Sequence, residues 1–157
     1  MGLEAPRRIE PEELAAVRPR AAENLRNHPL YLVGGLEGLA RPTVAIVGTR
    51  APSEPGRQRA RDLAAALGSA GICVVSGLAL GIDGAAHEGA LAATAPTVGV
   101  LGGGHRRFFP NRNLGLARRM IAAGGAVVSP FPPDHAAFPA QFLQRNGIVA
   151  ALADGLV

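Results

Sequence analysis

TVAIVGTRAPSEPGRQRARDLAAALGSAGICVVS, residues 43–76, decides the fold. TVAIV (43–47) is a short apolar run rich in β-branched residues, the pattern of a strand buried on both faces. A loop of glycine, proline and polar residues follows. The spacing then predicts a helix from about Gly56 to Ala70, because Ala60, Leu63, Ala64 and Leu67 fall on one face. Gly71 stops that helix, and ICVVS (72–76) is a second buried strand. Strand, helix and strand in this order make a right-handed crossover between parallel neighbours.

The same alternation continues downstream. DGAAHEGALAA (83–93) reads as helix, TVGVL (97–101) as strand, NLGLARRMIAA (113–123) as helix and AVVS (126–129) as strand. Gly124 and Gly125 end the third helix, and a last helix spans about Leu143 to Ala153. Asp154-Gly155 is a turn, and Leu156-Val157 is a strand barely begun. The fold class is therefore α/β: three layers, with a mainly parallel sheet and helices on both faces. Upstream, residues 1–42 form an approach segment. PEELAAVRPRAAENLRN (11–27) reads as a short helix interrupted near Pro19, and LYLVGG reads as a strand leading into the domain at 43–157.

Composition narrows the function. The chain of 157 residues is one domain by length and has no apolar run of the roughly 18 residues that a membrane span needs. MGLEAPRRIEPEEL lacks the apolar core of a signal peptide. The lone Cys73 allows no internal disulfide, which suits a cytoplasmic protein. All sixteen basic residues are arginines. Residues 1–42 carry six arginines and six glutamates; residues 43–157 carry ten arginines against six acids, so the whole +4 lies there. Arginine holds phosphate oxygens through a planar fork, so this balance fits a polyanionic partner, although solvated surface arginines explain it as well.

In a parallel sheet the strand-to-helix loops leave along one edge, where ligands bind. Here they are GTRAPSEPG (48–56), GLALGI (77–82), GGGHRRFFPNR (102–112) and PFPPDHAAFPAQF (130–142). None has the G-x-G-x-x-G spacing of a dinucleotide site, and without lysine there is no P-loop. No G-x-S-x-G is present, and no two histidines have metal-ligand spacing, so neither a nucleophile, a metal nor a cofactor is expected. Anion binding remains. Gly48, Thr49 and Arg50 offer N–H groups, a hydroxyl and a guanidinium, with Ser53 in the same loop. Gly77 and Gly81 open the second cradle, with Asp83 at the N-cap of its helix and His87 one turn on. Gly102, Gly103, Arg106 and Arg107 belong to the third loop. Gln144, Arg145 and Asn146 open the last helix beside Phe138 and Phe142. Those aromatic rings either stack bases, as in single-strand sites, or pack the loop onto the sheet.

Several of these segments together resemble one family. HPLYLVGGLEGLARPTVAIVGTR, SGLALGIDGAAHEGAL, VLGGGHRRFFPNRN and FLQRNGIVAALAD occur in the order and spacing of the Rossmann-like core of the DNA-processing protein DprA (Smf) family, from about Pro29 to Val157. The resemblance implies a protein, not an enzyme, that binds and protects single-stranded DNA, assists loading of the RecA recombinase in natural transformation, and forms a homodimer. It places Gly48, Thr49, Arg50, Gly77 and Gly81 in a phosphate-binding pocket and matches Arg145-Asn146 to the family's RN pair.

The chain departs from the family pattern at three places. Leu80 stands where the family has a basic residue, and Gly147 where it has a second arginine. Loss of two cations is expected to weaken DNA binding and flatten its salt dependence, by about 0.9 in log–log slope per lost contact. The family's domain also continues with further strands, so the sheet here is expected to end on an apolar edge that a partner or further residues would cover. The runner-up reading is a nucleotide-binding protein or phosphoribohydrolase of the LOG type. Its P-G-G-x-G-T-x-x-E loop corresponds to LGGGHRRFF, which keeps the glycines but not the threonine or glutamate.

Overall fold

The four apolar runs of residues 43–129 become the parallel centre of one seven-stranded sheet. The computed structural model describes residues 1–26 and 28–157. Asn27, the last residue of the segment read as helix, lies outside them. The strands are β1 (Arg7–Ile9), β2 (Leu30–Gly34), β3 (Thr43–Ala45), β4 (Cys73–Ser76), β5 (Thr97–Val100), β6 (Ala126–Ser129) and β7 (Gly155–Leu156). The helices are α1 (Pro11–Val17), α2 (Pro19–Leu25), α3 (Glu54–Ser69), α4 (Ile82–Ala92), α5 (Leu114–Ala122) and α6 (Pro139–Leu152). The sheet runs β1-β2-β6-β5-β4-β3-β7. Its five strands from β6 to β7 are parallel, and β2 and β1 add antiparallel beside β6.

The strand order explains the two covered faces. From β3 through β6 the chain steps one way across the sheet, so right-handed crossovers put α3, α4 and α5 on the same face. The return from β6 to β7 runs the opposite way, and the same handedness sends α6 over the other face. There it packs on β3, β4, β5 and α2. Alternation along each strand divides the core accordingly. Val75, Val98, Val100 and Val128 meet Ile148, Val149 and Leu152 of α6. Val74 meets Ala64, Ala86 and Ala90 of α3 and α4, and Val127 meets Leu116, Ala117 and Met120 of α5.

Some boundaries differ from the sequence reading. α3 begins two residues earlier than expected, because Ser53 caps it: its Oγ accepts the Gly56 N–H at 3.2 Å. α6 begins four residues earlier, at Pro139. Proline is pre-organised for a first helical position, and the Gln141 side chain accepts the Phe138 N–H at 3.0 Å. Arg145 therefore lies in the second turn and does not open the helix. The approach segment is tied into the sheet, with Tyr31 opposite Ser129 and Val33 opposite Val127. The strand at Arg7–Ile9 was not foreseen, since three residues between prolines carry no periodic signal.

The chain's last residues form the sheet edge. Gly155 pairs with Val44 and Leu156 with Ala45. Val157 donates to Ala45 O at 2.9 Å and accepts from the Val47 N–H at 3.2 Å. The side chains of Val47, Leu156 and Val157 are exposed along this edge. Asp154 locks the entry to β7: Oδ2 accepts the Thr43 N–H at 2.9 Å and Oδ1 pairs with Arg18. The Thr43 hydrogen bond and Arg18 hold its carboxyl below the usual range. No helix among the described residues is long and apolar enough to cross a membrane.

Cys73 is enclosed between β3, β5 and the α6 layer, and burial pushes its thiol up to about 12. The reactive form of a thiol is the thiolate. Cys73 is therefore expected to resist a thiol-specific reagent at about pH 8 in the native protein and to label fully in denaturant. Fast labelling of the native protein would contradict this burial.

Candidate functional site at the strand ends

The C-terminal ends of β3, β4 and β5 bring the first, second and third loops together over the start of α6. The first two loops interlock. The Ile82 N–H donates to Thr49 O at 3.1 Å, and Ile82 stacks on Gly48. Gly81 has φ +88°, and a Cβ there would overlap the Thr49 carbonyl, so both backbone conformation and contact require glycine. Thr49 Oγ1 accepts the Ala51 N–H at 3.2 Å, which rounds the loop. The N–H groups of Thr49 and Arg50 meet no acceptor among the described residues and are free for an anion.

Asp83 does not cap its helix. Gly81 is the N-cap of α4, and Asp83 is its second residue. Its Oδ2 accepts the Gly77 N–H at 3.0 Å, and the carboxylate is buried facing Arg145. Arg145 approaches from the opposite side of the sheet. Its Nη1 donates to Gly77 O and, at 3.2 Å, to Val100 O, while Nε donates to Asn146 Oδ1 at 3.0 Å. A Cβ on Gly77 would stand 2.6 Å from Arg145 Nη1 and 2.7 Å from Asp83 Oδ2. Gly77 is thus the point where both ionic groups meet the backbone, and only glycine leaves them room. Burial raises the Asp83 carboxyl against the pull of Arg145, and burial lowers Arg145 against the pull of Asp83. Arg145 is a buried tether between the loop after β4 and the end of β5.

The open chemistry lies above it. The Phe142 ring has two guanidiniums beside it, Arg50 and Arg145, each 5.3 Å from the ring centroid. Phe109 lies 6.0 Å from Phe142, tilted by 55°, with 53% of its surface exposed. Gly102 lies directly under the Phe142 ring. Arg50 is exposed and has no carboxylate within ion-pair distance among the described residues. Phe109 is a member of this cluster that sequence reasoning passed over. Its place between Phe108 and a proline gives no local sign that it would meet Phe142.

The remaining candidates are placed elsewhere. Ser53 is spent on capping α3. Arg106 pairs with Asp134 at 2.9 Å, and its N–H donates to Pro133 O at 2.9 Å, which ties the third loop to the fourth. Arg107 is exposed on the same short turn, outside the residues that gather around Phe142. Gly103 packs on Ala137. Asn146 and Gly147 are exposed on α6, and Gly147 faces open space.

The two buried histidines take no part in acid–base chemistry with Asp83. Thr97 gives its only hydroxyl proton to Val74 O at 2.8 Å, so at 2.8 Å His87 Nδ1 must carry the proton it shares with Thr97 Oγ1. His87 is a neutral core residue, and burial pushes it down to about 3. His105 Nε2 donates to Val127 O at 2.8 Å and is likewise lowered by burial. No group of three or more histidine, cysteine, aspartate or glutamate side chains gathers among the described residues to hold a metal.

The model of the family described as DNA recombination-mediator protein A matches residues 16–157. Protein Smf of Escherichia coli K12 is 38% identical over 128 residues, 82% of this chain and 34% of that protein. The chain spans between about a third and a half of the length of the curated relatives it matches. Among solved structures, DNA processing protein A of Helicobacter pylori, described for its single-stranded DNA binding mode, superposes with a TM-score of 0.84. The two are 31% identical, over 99% of this chain and 70% of that one. DNA processing protein A of Streptococcus pneumoniae gives 0.73 at 35% identity, over 82% of this chain and 44% of that one.

Proposed function

This chain belongs to the DNA recombination-mediator protein A family, and from that premise we propose that its strand-end platform binds single-stranded DNA and does not turn it over. One observation carries the reading. Arg50, with no acid beside it, is pinned on the Phe142 ring next to the free N–H groups of Thr49 and Arg50 and the exposed ring of Phe109. Cations for phosphate and aromatic faces for bases, side by side and without base-edge readers, are what a sequence-tolerant single-strand site requires. Phosphate sits on the loop from Gly48 to Arg50, and a base lies against Phe109. Asp83 and His87 are each committed to a buried partner, which supports binding without turnover. Protection of incoming DNA, a role in loading RecA during transformation, a homodimer and a cytoplasmic setting follow from the family premise and belong to the same proposal.

Arg50→Ala is expected to weaken binding of oligothymidylate and of mixed sequences alike, and to reduce the log–log salt slope by about 0.7, one single-strand phosphate contact. Phe109→Ala should lower affinity by about 1–3 kcal/mol, the range for loss of one stacked base. Fluorescence anisotropy at two salt concentrations reads both. Unchanged titrations for both variants would remove the platform from the binding site.

A further inference from the structure

Beside the platform lies a second concave feature. A groove of about 550 Å³ runs over the first turns of α4 between α3 and α5. Arg57 and Arg61 line it from α3, Arg112 and Arg119 from the opposite wall, and Arg50 stands at its mouth. Glu88 is the single acid in this lining. Arg61 is paired with Glu88 at 3.2 Å, and Arg57 with Glu54 at 3.3 Å. Arg50, Arg112 and Arg119 have no carboxylate within ion-pair distance among the described residues.

Guanidiniums gathered around one concavity repel each other, so the arrangement gains when an anion fills it. The walls are also held in place. Asn113 Nδ2 donates to Leu78 O at 2.9 Å and Ala79 O at 3.1 Å, which fastens the segment between Arg112 and Arg119 to the loop that opens α4. At the floor, the N–H groups of Gly84 and Ala85 are already given to Ala79 O and Gly81 O. The groove therefore offers guanidiniums on its walls, and its floor at Gly84 and Ala85 forms no nest of free backbone donors; the free N–H of Arg50 lies only at the mouth. A compact phosphate group of a free nucleotide favours such a nest; a phosphodiester chain needs only cations along its path. Leu80 contributes an apolar surface to the floor, suited to a sugar or base.

We propose that this groove is a second segment of the nucleic-acid track, which takes the backbone of a single strand as it leaves the platform. Arg50 is the joint between the two segments, since it lies on Phe142 and lines the groove at once. Arg112 and Arg119 hold successive phosphates. The inference rests on the platform reading and extends its footprint over α4.

The test uses the full chain and the double variant Arg112→Ala/Arg119→Ala, with oligothymidylates of about 4 and about 16 nucleotides, which bracket single-strand site sizes. Both residues are exposed, so an unchanged thermal transition is expected and is the control for folding. The ratio of wild type to variant is the readout, because a longer strand also offers more registers. The short strand should bind both proteins equally. The long strand should bind the variant about tenfold or more weakly, with a salt slope smaller by about 1.4, two single-strand contacts. Equal binding of the long strand overturns the groove while Arg50→Ala still tests the platform. Failure of the wild type to bind either length overturns the platform reading and the groove with it. Tight binding of ATP or pyrophosphate that depends on Arg112 and Arg119, with long-strand affinity unaffected, overturns the track in favour of a free-nucleotide site.

Discussion

Arg145→Ala is expected to destabilise the fold by about 3 kcal/mol, because it leaves two buried carbonyls without their donor and removes the positive charge that the buried Asp83 faces. The substitution strands the Asp83 carboxylate in the interior and leaves Gly77 O and Val100 O without their donor. Chemical denaturation of wild type and variant reads the loss as a shift in midpoint at constant slope. A double-mutant cycle separates tether from mere packing. Asp83→Asn should cost far less in the Arg145→Ala background than alone, because the stranded charge is gone. A shift under about 1 kcal/mol for Arg145→Ala would show that the guanidinium is not committed to the interior. The result also bears on DNA titrations. Weaker binding by this variant would report a damaged platform, so Arg50, not Arg145, is the informative position.

The second large effect is acid sensitivity from His87. Its folded value of about 3 lies below the ordinary value of 6.5, so the unfolded chain takes up a proton that the native core refuses. Stability from this group is complete above about pH 6.5 and is lost as pH falls towards 3, by on the order of 4 kcal/mol across the window. His105 and Asp154 act in the same direction, and the raised Asp83 acts in the opposite one. His87→Leu isolates the term. Thr97 keeps its bond to Val74 O in that variant, so no donor is orphaned. Between about pH 6.5 and pH 4.5 the wild type should lose roughly 2–3 kcal/mol more than His87→Leu. Parallel losses in the two proteins would mean that His87 is already accessible to protons.

Period and punctuation in the sequence carried much of this. The apolar runs at 43–47, 72–76, 97–101 and 126–129 are all strands, because a run buried on both faces has few other ways to satisfy its backbone. The glycines of SGLALGID marked a place of close approach, and Gly77 and Gly81 are such places. The role given to Asp83 was wrong for a definite reason. An aspartate at the start of a helix normally caps it, but here the carboxylate turns to the Gly77 N–H and lies buried facing a guanidinium from an element 62 residues later. The start of α6 was missed although Phe138-Pro139-Ala140-Gln141 carries a proline at the first helical position and a back-bonding glutamine two residues on.

The sequence by itself determined the α/β architecture, the edge at which the loops gather, and the family that the order of motifs identifies. These rest on local periodicity and on residues whose backbone demands do not depend on distant partners. Which arginines stand open and which are committed to partners was decided only in three dimensions. Arg50, Arg106 and Arg145 are alike in the sequence, yet one is open on an aromatic ring, one is paired at the surface and one is buried. The return of α6 across the opposite face brings Arg145 beneath Gly77, and the packing of α5 and the turn before it against α4 sets Arg112 and Arg119 across the groove from α3. A charge acquires its role from what the fold sets beside it, because desolvation and Coulomb energy depend on separation in space and not along the chain.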